Sequence, residues 1–110
     1  MILQQAAKPN SARETIKTAD CERKAYITAK KLKDVREALQ QLTQLEDAIL
    51  LTEELKETYK PRSLAYDWCV LHIRILRQKL PKNLELVRSE YEAQEAAYIA
   101  AINYWEKRIS

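Results

Sequence analysis

The chain has 110 residues, 46% apolar and 32% charged, with a net charge of +3 and no glycine. That is one domain's length, with enough apolar content for a core that needs neither disulfides nor metal. The missing glycine excludes phosphate-cradling loops, dinucleotide-binding turns and glycine hairpins, all of which need positive φ or close backbone approach.

Residues 1–10 read as an extended tail, because Pro9 stops a helix from running through them. Ser11, Ala12, Arg13 and Glu14 then form a capping box, in which the Ser11 hydroxyl and the Glu14 carboxylate satisfy each other's amides. The first helix is expected from about 11 to 59, a stretch without proline. Leu32, Val35, Leu39, Leu42, Leu45, Ile49 and Leu55 recur at three- and four-residue spacing and give it one apolar stripe. Its first half offers a smaller line, Cys21, Ala25, Ala29 and Leu32, flanked by Tyr26 and Ile27. Small residues allow close approach of another helix but bury little area. Either this half packs on a partner, or the helix breaks near 28–33.

Pro61 restarts the chain, and the second helix is expected over about 62–80. It is the most apolar stretch, with only a narrow polar strip through Asp67, Arg74, Arg77 and Gln78, which predicts a helix surrounded by other elements. Pro81 ends it. Asn83 caps a third helix, from about 84 to 109. There Leu84, Tyr91, Tyr98 and Trp105 lie seven apart, with Val87 and Ala101 on the next line and Ile102 and Ile109 beside them, a coiled-coil-like seam rich in aromatic rings. The short links at 60–62 and 81–83 predict that successive helices pack antiparallel. The fold expected is therefore all-α: one domain over 11–110, a three-helix antiparallel bundle with a long N-terminal helix. The second helix reaches only the C-terminal part of the first, which leaves the apolar line of the N-terminal half uncovered in a monomer.

Charge is unevenly distributed. Residues 38–59 hold one Lys/Arg against five Asp/Glu, and residues 60–82 hold six against one. Adjacent segments of opposite sign predict that they face each other.

Chemistry-bearing residues are few. Cys69, His72 and Trp68 share a helical face, and a Cys–His pair can act as a nucleophile. No orienting group or oxyanion donor accompanies it, so packing is the expected role. Glu53, Glu54 and Glu57 lack the Glu-x-x-His partners of a helical metal site. Cys21 and Cys69 are too few for a zinc site or a disulfide framework and are expected to stay reduced. No enzyme activity, metal or cofactor is expected.

Lys30, Lys31, Lys33 and Arg36 form one candidate phosphate-contacting cluster, and Arg74, Arg77 and Lys79 another. No helix-turn-helix, RNA-recognition or zinc-finger pattern accompanies them. The candidate protein interface comprises Cys21, Ala25, Tyr26, Ala29, Leu32, Tyr91, Tyr98 and Trp105. At the level of general class only, the chain resembles small helical connectors of viral particles and helical small subunits of nucleoprotein complexes. The expected role is a structural or adaptor subunit that binds sister copies or other proteins. A small basic subunit contacting DNA or RNA is the alternative, and a helical inhibitor or regulator of one protein is the third. With no apolar leader after Met1 and no membrane span, the expected location is intracellular, in the cytoplasm or within a particle assembled there.

Overall fold

A computed structural model of the chain contains three helices, α1 (Ile2–Glu57), α2 (Leu64–Lys79) and α3 (Leu84–Ile109). Residues 15–109 are described; the tail expected at 1–10 and the Ser11–Glu14 capping box lie outside them. The fold is an all-α bundle with no strand among the described residues. α1 is unbroken, so the interruption considered near 28–33 does not occur. Contacts divide the chain into two compact units, residues 36–92 and residues 1–35 with 93–110.

α1 owes its continuity to a seven-residue repeat. Cys21, Thr28, Val35, Leu42, Ile49 and Lys56 form one buried or half-buried line, and Ala25, Leu32, Leu39, Glu46 and Glu53 form the other. Alternating steps of three and four keep both lines on one side of a helix, the spacing of a coiled-coil seam.

In the unit of 36–92, Ile49 of α1 packs against Ile73 and Leu76 of α2, with Leu45, Ala48 and Leu80 around them. Burying such side chains contributes about 2 kcal/mol each. The Lys56 ammonium stands 5.8 Å from the Tyr66 ring, and Arg77 pairs with Glu53. Later residues of α1 thus meet earlier residues of α2, and the two helices are antiparallel. The Glu53–Arg77 pair also joins the acidic segment to the basic one, as the charge pattern predicts.

The link between α1 and α2 solves a sharp turn without glycine. The Ser63 amide donates to the Lys60 carbonyl at 3.1 Å, Pro61 occupies the second position, and Arg62 takes a φ of 70°. This is the pattern of a type II turn, whose third position favours glycine. A side-chain-bearing residue there costs roughly 1–2 kcal/mol. Arg62→Gly should therefore raise stability by about 1 kcal/mol, seen as a rise in Tm of roughly 5 °C. An unchanged or lower Tm would show that the turn is not strained. Ser63 then caps α2, its hydroxyl accepting from the Tyr66 amide at 3.2 Å.

The second link behaves differently from expectation. Leu80 leaves the helix with ψ 146°, Pro81 prevents its resumption, and the Asn83 carbonyl accepts the first bond of α3 from Val87. The chain does not reverse here. Leu84 shares a groove with Glu46, Ile49, Leu50 and Leu80, and Arg88 pairs with Glu46. Within this unit α3 follows α2 along α1 in the same direction, so α1 is the antiparallel partner of both. The physical reason is the α1 seam, which continues past the reach of α2 and offers α3 a face to bury.

In the unit of 1–35 with 93–110, residues 17–24 of α1 share a cleft with Tyr104, Trp105 and Arg108 of α3. The Lys24 ammonium sits 4.8 Å from the Trp105 ring. The N-terminal half of α1, expected to lack a covering helix, is covered by α3. The small residue Cys21 lines that cleft with Trp105, so a narrow position of α1 lies beside a wide one of α3. Among the described residues of this unit, Leu32 and Val35 are buried.

Candidate protein-binding surface

α2 presents two apolar faces. One holds Cys69, Ile73 and Leu76 in the core. The other holds Leu64, Trp68, Leu71 and Ile75, which remain 88%, 60%, 51% and 43% exposed. Steps of four, three and four place these side chains in one stripe along the helix. The expectation that α2 is surrounded is thus half met: its inner face is covered and its outer face is bare. Trp68 is not free to collapse onto the surface, because its ring stacks on that of His72 with centroids 5.1 Å apart and planes 15° from parallel. Asp67 and Arg74 border the stripe, both exposed. Neither makes an ion pair among the described residues.

Cys69 and His72, whose expected role is packing, are both in contact with neighbours. Cys69 is 1% exposed, and the His72 ring is engaged by Trp68. Among the described residues no three His, Cys, Asp or Glu side chains gather as a metal site would require.

The residues expected to form an interface separate into groups. Cys21, Ala25, Tyr98 and Trp105 are half-buried and Leu32 is buried, all in the unit of 1–35 with 93–110, while Tyr91 is half-buried in the other unit. Tyr26 and Ala29 are exposed. The inward line of α1 uses Thr28 in place of Ala29. The Thr28 hydroxyl donates to the Lys24 carbonyl at 2.7 Å, so its polar atom is satisfied by its own helix.

The basic residues form no single cluster. Lys30 stands 5.1 Å from the Tyr26 ring, Lys31 and Lys33 are exposed in the same unit, and Arg36 lies in the other. Arg74 and Lys79 are exposed, and Arg77 is held by Glu53. In the unit of 1–35 with 93–110, Lys24, one of the basic residues the sequence offered, lines a cleft with two cations that sequence reasoning missed, Lys17 and Arg108, beside Tyr104 and Trp105. Two of the three are engaged. Arg108 lies 4.4 Å from the Tyr104 ring, and Lys24 reaches Asp20 at 3.0 Å. The Lys24 hydrogen bond, aided by Arg23, holds the Asp20 carboxyl below its usual value of 3.8. That stabilisation is present above the unfolded value and is lost as the pH falls through the lower folded one.

Comparison with known proteins gives no likeness to argue from: no family model, curated protein or solved structure matches the chain. No helix among the described residues is long and apolar enough to cross a membrane.

Proposed function

We propose that this protein is a non-enzymatic structural or adaptor subunit of a larger assembly, in the manner of a particle connector, and that it binds protein through the outer stripe of α2. The supporting observation is the bare line Leu64, Trp68, Leu71 and Ile75 on a helix whose other face is already in the core. A monomer gains nothing by exposing a tryptophan and three large aliphatic side chains in register; a partner that covers them recovers their burial. The nucleic-acid alternative has less support, because its cations form no single cluster and two of them, Lys30 and Arg77, are occupied by a ring and a carboxylate.

A photoactivatable residue at Leu71, in the cells that make the protein, should yield protein adducts, and one at the exposed Gln94 should not. Cys69→Ala should leave the Leu71 adducts unchanged. Adducts to nucleic acid, or none at Leu71, would overturn the reading. Loss of adducts in a folded Cys69→Ala protein would return the thiol to consideration.

A further inference from the structure

We infer that the outer stripe of α2 pairs with the same stripe of a second copy, antiparallel, about a two-fold axis midway between Trp68 and Leu71. The inference rests on the protein-binding reading above and names the partner. Leu64 and Leu71 are seven residues apart, as are Trp68 and Ile75, so the stripe carries two interleaved heptad positions. Turned end for end, it matches itself. Leu64 of one copy meets Ile75 of the other, and Trp68 meets Leu71, each contact occurring twice as a two-fold interface requires.

The charges beside the stripe select this orientation. Asp67 and Arg74 border one edge, again seven apart, while Ala65, His72 and Lys79 border the other. In an antiparallel pair like edges meet. Asp67 of each copy then faces Arg74 of the other, giving two symmetric ion pairs, and Ala65 leaves room for the His72 ring. In a parallel pair unlike edges meet, and Arg74 faces Lys79, two like charges. Neither Asp67 nor Arg74 is paired within the chain among the described residues, whereas neighbouring Arg77 is committed to Glu53. Both groups that an antiparallel partner would use are therefore available to it.

α2 has 16 residues, roughly 24 Å of helix at 1.5 Å per residue. One helix pair of that length makes a small interface, so the expected dissociation constant is micromolar, on the order of 1–100 μM.

Sedimentation equilibrium of the full chain from about 1 μM to 1 mM tests this. A monomer–dimer equilibrium is expected, and Trp68→Ala should abolish it while circular dichroism stays unchanged. Asp67→Arg and Arg74→Asp should each weaken dimerisation at least about tenfold. The double variant should return it to within about threefold of the parent, because exchanging the two charges recreates both pairs. A chain monomeric at every concentration overturns the pairing, as does a double variant no tighter than the singles. If the chain is monomeric and Leu71 still crosslinks to a different protein, the binding surface stands and its self-pairing falls. If Leu71 gives no protein adduct at all, both fall.

Discussion

Ile73→Ala should lower the free energy of unfolding by about 3 kcal/mol, while Ile75→Ala should change it by less than about 0.5 kcal/mol. The two isoleucines sit two residues apart on one helix and are chemically identical. Ile73 belongs to the cluster with Ile49 and Leu76, so truncating it removes three buried side-chain carbons and leaves a cavity. Ile75 belongs to the bare stripe and is 43% exposed, and at concentrations low enough to keep the chain monomeric it has much less burial to lose and leaves no enclosed cavity. Urea denaturation of dilute protein measures both. Equal losses would mean that α2 is enclosed on all sides and that the proposed binding surface does not exist.

The second large effect separates Ala25 from Ala29. Ala25→Glu places a carboxylate on the half-buried seam between Cys21 and Leu32, where α3 packs on α1. The carboxylate must leave water or push the helices apart, at a cost of about 2 kcal/mol. Ala29 is exposed, and Ala29→Glu exchanges one good helix former for another, so its effect should stay within about 0.5 kcal/mol. Hydrogen exchange over 15–35 gives the local readout: faster in the first variant, unchanged in the second. If both variants behave alike, the seam does not run where the structure places it.

Much of the fold was legible because it is written in local chemistry. Pro61, Ser63, Pro81 and Asn83 mark the helix ends, and the Leu84, Tyr91, Tyr98, Trp105 line marks one edge of the α3 seam. What escaped was non-local. Loop length says that 81–83 is short but not whether a short link bends or reverses, and that depends on which surface is left to cover. A further half-buried line of α3, Arg88, Glu95, Ile102 and Ile109, was obscured because Arg88 and Glu95 are charged, yet Arg88 is satisfied by Glu46. Thr28 was passed over as polar although its hydroxyl bonds its own helix. The candidate surface was visible only in part. An apolar circumference of α2 shows that both faces want burial, but only the packed structure shows which face obtains it.

The sequence separation of the contacts also imposes an order of assembly. Ion pairing of Glu53 with Arg77 and packing of Ile49 on Ile73 close a short stretch of chain around one turn. The seam that brings Lys24 to Trp105 joins residues far apart in the sequence. Closing the longer loop first costs more chain entropy than closing the shorter one and then extending from it. Folding should therefore begin at the hairpin and zip outward to the termini, with Ile73→Ala slowing refolding and Ala25→Glu chiefly hastening unfolding in stopped-flow kinetics. Equal effects of the two variants on the refolding rate would contradict that order. A nascent chain leaving the ribosome N-terminus first must then hold the outer half of α1 unpaired until the last residues of α3 are made.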